Sequence, residues 1–294
     1  MLITGATGLV GSAITQAFYT HGFDVTATCY GPALDIPVKW VDFDFFNLEE
    51  SIAKLNTLGR FDVLVHNAGV VKSGATTAQY NEVISVNILF TNALFNWAAN
   101  NISNCIVYTS SLSFLQRPLP KLVTEDASVN ATDVYSFSKY SGEKYLALPE
   151  FTKLRKIIFR LASPVANELS LMPNTVLKKW MNSARNDKKI TVFGKGTRRQ
   201  NFVATADIAS AMVQAVNSPN ASGVYNIAST INLSMAELAT LIAGKFNATV
   251  EYAGDDALAQ EQWNISFEKA TADFGYAPVF DSLTSVSQLL NSAL

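Results

Sequence analysis

Charge, cysteine and histidine are all scarce in this 294-residue chain. Charged residues make up 16%, and 22 basic against 24 acidic side chains leave a net charge of −2. The basic residues are scattered, so there is no electrostatic footprint for nucleic acid or an anionic membrane. The only two cysteines, Cys29 and Cys105, each sit in an apolar run that reads as a strand, so buried free thiols are expected rather than a disulfide framework. The two histidines have no partners at ligand spacing, which argues against a metal site. His21 precedes Gly22 and reads as a helix C-terminal cap, and His66 stands at a strand end. No apolar stretch approaches the roughly 20 residues of a membrane helix. The chain opens on a strand and a glycine turn, without the basic and apolar regions of a secretory signal, so a cytoplasmic location is expected. Hydrophobic residues make up 49%, enough to bury one large domain or two intimately packed ones.

Short apolar runs alternate with helical spacing through the first half. Met1–Thr4, Asp24–Cys29, Val38–Val41, Val63–His66 and Cys105–Thr109 read as buried strands. Ser12–Thr20, Glu50–Leu55, Asn81–Asn100 and Tyr135–Leu148 read as helices between them. This alternation predicts an α/β fold with a parallel sheet, helices on both faces and right-handed crossovers. Past residue 160 the rhythm changes. Ile157–Leu161 is another strand, Pro164–Pro173 has loop character, Asn174–Asn186 is helical, and Ile190–Phe193 is a short strand before a Gly-Lys-Gly turn. Val224–Ile227 reads as a strand, Ser234–Phe246 as a helix capped by Ser234, and Ala293 falls in a final helix. The expected division is a nucleotide-binding part over residues 1–160 and a smaller substrate lobe over 161–294, interleaved with the sheet.

The loop Thr4-Gly-Ala-Thr-Gly-Leu-Val-Gly11 follows a strand and opens a helix. Gly5 permits a tight turn, Gly8 lets the backbone approach a pyrophosphate, and Gly11 allows close helix–sheet packing. The helix N-terminus offers free N–H groups and a favourable dipole to the phosphates. Gly5, Thr7, Gly8, Leu9, Val10 and Gly11 are therefore assigned to a dinucleotide. After the second strand stands Cys29-Tyr30-Gly31, neither acidic nor basic, so NAD and NADP both stay open. Asn67-Ala68-Gly69, after another strand, is small enough for a cofactor to pass close to the backbone.

Tyr135-Ser-Phe-Ser-Lys139 puts a phenol and an ammonium one turn apart on one helix face. An ammonium favours the phenolate and lowers the phenol pKa toward working pH, giving a group that exchanges a proton with a substrate oxygen while hydride moves. An ordinary surface pair has the same spacing. Ser111, at the end of Cys105–Thr109-Ser110-Ser111, shares the C-terminal sheet edge where open α/β sheets bind ligands, and that coincidence with Gly5 and Asn67 favours a catalytic set.

The glycine spacing, the Thr before it and the Tyr-x-x-x-Lys motif resemble the extended short-chain dehydrogenases, the nucleotide-sugar epimerase/dehydratase family, over nearly the whole chain. The resemblance implies a Rossmann-type doubly wound sheet with catalytic Ser111, Tyr135 and Lys139. It assigns Asp44, with its neighbour Phe45, and Asn87 to the cofactor alongside Asn67, Ala68, Gly69, Tyr135 and Lys139. For the substrate it points to Ser110, Ser111, Ser163 (where the family often has Asn before Pro) and the turn Gly194-Lys-Gly-Thr-Arg-Arg-Gln200. The family's diphosphate-gripping Arg aligns with Gln200, and Arg198 and Arg199 stand just before it, so the phosphate contact lies open among the three. Asp207-Ile-Ala, Gly223-Val-Tyr-Asn-Ile and the closing Ile265-Ser-Phe-Glu-Lys-Ala are further landmarks, read as structural.

The family's dehydratases carry acidic residues just after the catalytic hydroxyl; Ser111-Leu-Ser-Phe-Leu has none, which demotes dehydration. Reduction of a nucleotide-linked 4-keto sugar is the leading expectation. A 4-epimerase with retained NAD and a reductase of small carbonyl compounds are the alternatives. A sensor that binds cofactor without turnover is disfavoured, because Ser111, Tyr135 and Lys139 are all present. The resemblance also implies a homodimer through Asn81–Asn100 and Tyr135–Leu148, and Ile88–Phe95 is apolar nearly all round, as burial on two sides requires. Glu125 and Asp126 read as solvated loop carboxylates, Phe43–Phe46 as packing, and Trp180 and Trp263 as core in preference to pocket.

Overall fold

The computed structural model describes residues 1–71 and 77–292. Seven parallel strands form the central sheet: β1 (Leu2–Thr4), β2 (Thr26–Cys29), β3 (Lys39–Asp42), β4 (Phe61–His66), β5 (Ile102–Ser111), β6 (Arg155–Leu161) and β10 (Gly223–Ile227). Their order is β10-β6-β5-β4-β1-β2-β3, so the winding reverses between β1 and β4 and opens a crevice there. The doubly wound sheet predicted from the alternation is the one observed. Period-two alternation sends side chains to two cores. Ile3, Val65, Val107 and Phe159 pack with helices α1 (Leu9–Thr20) and α7 (Thr205–Asn217), while Leu2, Leu64, Ile106 and Tyr108 face the opposite layer.

That opposite layer holds α2 (Leu48–Thr57), the helical segment after β4 and α5 (Val134–Leu146). The helix expected over Asn81–Asn100 is α3 (Thr77–Val83), a π-helical stretch (Ile84–Phe90) and α4 (Thr91–Asn101). Phe90, Leu94 and Phe95 are buried there, but Leu89 is 49% exposed, so the run is not covered all round within one chain.

The second half adds a third core. Around it lie α6 (Val176–Asn186), α8 (Met235–Phe246), α10 (Ser282–Ser292), and strands β7 (Ser163–Val165), β8 (Lys189–Phe193), β9 (Arg199–Ala204), β11 (Asn232–Ser234) and β12 (Thr249–Ala253); α9 (Glu268–Phe274) returns to the first core. Two small sheets, β11-β9-β7 and β12-β8, complete this lobe. The loop expected over Pro164–Pro173 instead contains part of β7 and a single 3-10 turn at Leu169–Leu171. Ser234 caps α8 as expected, within a capping box with Glu237. Ala293 lies outside the described residues.

Candidate active site

Strands β1, β4, β5 and β6 end at Thr4, His66, Ser111 and Leu161, along one edge of the sheet. A cavity of about 890 Å³ lies against that edge, lined by the loops after these strands and by the lobe.

The glycine loop explains its own composition. Gly5 has φ +67°, and a Cβ there would lie 2.6 Å from the Ala68 backbone. A Cβ on Gly11 would sit 1.9 Å from the Gly5 carbonyl oxygen. The two loops flanking the crevice are thus in contact, and Asn67 Nδ2 donates to the Gly5 carbonyl at 3.3 Å. Among the described residues no side chain caps α1 at Gly8, and Gly8, Leu9 and Val10 at its start line the cavity, where a helix offers free N–H groups. This cradle fits a dinucleotide pyrophosphate. Gly5, Thr7, Gly8, Leu9, Val10, Asn67, Ala68 and Gly69 all line the cavity. Gly11 stands behind the lining and serves the packing predicted for it.

Asn87 does not line the cavity. It sits in the π-helical stretch, where its amide brackets Val70, accepting from Val70 N–H at 2.7 Å and donating to Val70 O at 2.9 Å and to Ser138 Oγ at 3.1 Å. It therefore shapes the loop after β4 and ties that loop to α5; π-bulges often mark functional positions. Asp44 also lies outside the lining: its carboxylate accepts the Phe46 N–H at 3.0 Å and its carbonyl accepts the Ser51 hydroxyl. Phe45 lines the cavity as assigned, joined by Phe46 and Tyr30, whose rings meet edge to face at 5.8 Å. Those two rings were not predicted for the site; exposed aromatics in loops after β2 and β3 were the available signal.

Helix α5 begins with Asp133 as N-cap, accepting from Ser136 N–H at 2.9 Å. Tyr135 and Lys139 therefore lie in its first turns, and both line the cavity beside Ser111. Gly142 lets α5 lie close to β5, because a Cβ there would come within 2.5 Å of the Tyr108 hydroxyl. Lys139 is buried, its Nζ donating to Thr109 O at 2.9 Å. Burial pushes its ammonium down to about 8. Burial likewise pushes the Tyr135 phenol up to about 12, opposed by a hydrogen bond with Ser111 and reinforced by Asp133. The expectation that Lys139 draws the phenol toward neutral pH is thus not met by the chain's own groups: desolvation dominates, and the ammonium is engaged by a carbonyl. At neutral pH Tyr135 carries its proton.

Ser110 borders the cavity, but strand alternation turns its hydroxyl inward, where it donates to Glu143 Oε1 at 2.6 Å. Glu143 is buried and receives three hydrogen bonds from Arg160 at 2.8–3.3 Å. Ser110 thus borders the cavity while its hydroxyl is joined to an ion pair. Glu125 is also not a solvated carboxylate, since it accepts the Asn226 N–H at 2.8 Å. His66 hydrogen-bonds Thr4 and Thr91 through its two ring nitrogens, and burial keeps it neutral. His21 bonds the Ala17 carbonyl at the end of α1, as predicted for a cap.

On the lobe side, the Arg-Arg-Gln side chains alternate between the cavity and the outer face. Arg198, Gln200 and Phe202 line the cavity. Arg199 points the other way, to Glu237 at 3.0 Å and Asn232 O at 2.7 Å, so its assignment to substrate is corrected. Gln200 donates to Ser163 Oγ at 2.7 Å, joining two residues that depart from the family's usual pattern. Leu171, Met172, Pro173, Val176 and Leu177, with Thr175 among them, make the remaining lobe wall largely apolar. Trp263 is core, and Trp180 lines a second, smaller cavity.

A model of the NAD dependent epimerase/dehydratase family matches residues 1–228. A putative UDP-glucose 4-epimerase of Methanocaldococcus jannaschii is 23% identical, covering 99% of this chain and 97% of its own. The dTDP-4-dehydro-6-deoxyglucose reductase of Escherichia coli is 20% identical over 99% of this chain and 96% of its own. Among solved structures, the UDP-glucose 4-epimerase of Thermotoga maritima with UDP-glucose superimposes with TM-score 0.85 at 16% identity, covering 99% of this chain and 97% of that one. The UDP-glucuronic acid 4-epimerase of Bacillus cereus, in complex with UDP-glucuronic acid and NAD, gives 0.83 at 19% identity, covering 99% and 98%. At these identities the structural likeness is one of fold.

Proposed function

Because this chain belongs to the NAD-dependent epimerase/dehydratase family, we propose that it moves hydride at the 4-position of a nucleotide-linked sugar, as a 4-ketoreductase. The convergence of Ser111, Tyr135 and Lys139 on one cavity beside the glycine cradle carries this reading. Residues 1–160 hold most of the dinucleotide site, and 161–294 supply the substrate wall. When bound, the reduced nicotinamide supplies the hydride. Ser111 holds the sugar carbonyl oxygen, and Tyr135, protonated at neutral pH, donates its proton to that oxygen as the alcohol forms. Lys139, beside Gly69 and close to Tyr135, provides a cation that restrains the phenolate left behind. Arg198, the cavity-lining cation of the lobe among the described residues, meets the substrate's anionic diphosphate.

A second reading, 4-epimerisation with retained NAD, uses the same three residues and is favoured by the similarity to two proteins named as 4-epimerases over almost their full lengths. Dehydration is not favoured: Leu112 and Phe114 are buried, and no carboxylate follows Ser111 in that segment. Exposed Ile84, Leu89 and Phe137, on adjacent helical segments, support a homodimer, which light scattering would detect. Among the described residues no helix is long and apolar enough to cross a membrane.

The test is incubation with NADH or NADPH and a panel of nucleotide-linked 4-keto sugars, beside a Tyr135→Phe control. Stoichiometric oxidation that the variant loses supports ketoreduction. Interconversion of unoxidised sugars with tightly held cofactor identifies the epimerase. Turnover of small carbonyl compounds, with no binding of nucleotides, refutes both.

A further inference from the structure

A second cavity, about 460 Å³, adjoins the first, and Arg198 and Val176 line both. Its charged walls are Lys179, Arg198, Asp255 and Asp256, two of each sign, so its described lining carries no net charge. Arg198 Nε lies 3.5 Å from Asp256 Oδ2, yet this buried nitrogen makes no hydrogen bond among the described residues. The guanidinium therefore has a counter-ion but retains a donor unspent, which is costly for a buried N–H.

Asp256 is fixed by its own turn and not by Arg198. Its Oδ1 accepts the Leu258 N–H at 2.9 Å, and its carbonyl accepts Ala259 N–H. Gly194, at φ +61°, makes room for it: a Cβ there would lie 2.9 Å from Asp256 N. The nearby Arg117 is already paired with Glu261 at 3.0 Å; burial lowers its pKa, and the charge of Arg198 lowers it further against the pull of Glu261, so the two guanidiniums repel. That repulsion adds to the attraction of an incoming anion for Arg198.

We propose that Asp256 is a resident counter-ion that the substrate's anionic group displaces from Arg198. The proposal rests on the nucleotide-linked substrate argued above and names how that site sets its specificity. A monoanion exchanges one charge for another and gains little. A diphosphate brings two charges and several oxygens in hydrogen-bonding reach, so it out-competes the carboxylate, whereas a ligand without phosphate leaves the pair in place.

Calorimetric titration of the NAD-saturated protein with UDP and dTDP, and with uridine for comparison, tests this. Asp256→Asn keeps an acceptor for Leu258 N–H and removes the charge; it tightens UDP or dTDP by about fivefold, the scale of a partly exposed ion pair, and leaves uridine unchanged. Asp256→Ser does the same. Arg198→Gln weakens the diphosphates by about tenfold or more and cancels the gain from Asp256→Asn in the double variant, while Arg198→Lys recovers part of the loss. Arg199→Gln, on the opposite strand face, has no effect. Unchanged or weaker diphosphate binding by both Asp256 variants, or full additivity with Arg198→Gln, overturns the proposal while leaving the nucleotide-sugar reading intact. Failure of every variant and the wild type to bind UDP or dTDP sinks that reading and this one together.

Discussion

Replacing Glu143 by Ala isolates the ion pair that fastens α5 to the sheet. Glu143 and Arg160 are 5% and 6% exposed, and the carboxylate takes three hydrogen bonds from the guanidinium and one from Ser110. The truncation leaves Arg160 buried with, among the described residues, the Glu125 carbonyl at 2.8 Å as its one hydrogen-bond acceptor and the Phe114 ring beneath it. Breaking a buried pair by removing one partner costs about 3–5 kcal/mol, and a stranded Ser110 hydroxyl adds about 1 kcal/mol. A loss of about 4–6 kcal/mol in urea unfolding is expected, with a melting temperature lower by about 10 °C for a chain of this size. A double change, Glu143→Leu with Arg160→Met, recovers most of the loss, because well-packed apolar groups replace buried pairs at little cost. Lys139 lies one turn before Glu143 on α5, so Glu143→Ala also lowers turnover. A loss below 1 kcal/mol, or a double variant less stable than the single, would refute the assignment of this pair as the anchor of α5.

Three further outcomes follow from the site. Gly11→Ala forces a Cβ to within 1.9 Å of the Gly5 carbonyl oxygen, so NAD affinity, read by quenching of protein fluorescence, should fall by about 100-fold or more; near-normal binding would contradict the cradle. Ser111→Ala should lower turnover by about 10²–10³-fold with little change in unfolding, whereas Ser110→Ala should reduce stability by about 1–2 kcal/mol. A reversal of these two patterns would exchange their roles. Lys139 titrates near 8 in the fold against 10.5 in the unfolded chain. Between those values the unfolded chain binds more protons, so this residue's contribution to stability rises with pH. The stability advantage of Lys139→Met over wild type should therefore shrink by about 3 kcal/mol from pH 8 to 10.5, and a constant difference would show that Lys139 is not desolvated.

The glycine loop and Tyr135–Lys139 were legible in the sequence because each is a local motif with a fixed spacing inside a strong strand–helix alternation. The sheet followed from the same alternation, since its buried parallel strands are continuous apolar runs. The lobe was less legible: β7, β11 and β12 are three to five residues long and too short for a periodicity to register. Which of Arg198, Arg199 and Gln200 faces the cavity depended on the phase of β9, which turns Arg199 away from it. The state of Tyr135 depended on desolvation, a property of packing that no spacing displays. Asn87 acts by bracketing Val70 from within a π-helical stretch, and Asp44 turns to its own loop; both are decided by backbone geometry absent from the motif.

The most direct measurement follows deuterium from nicotinamide labelled at its transferable C4 position into the sugar product by mass spectrometry. Hydride transfer with Tyr135 as proton donor places one deuterium at sugar C4 under reduction, and Tyr135→Phe yields no labelled product. Turnover without label at C4, or labelling undiminished in Tyr135→Phe, would contradict hydride transfer supported by this tyrosine.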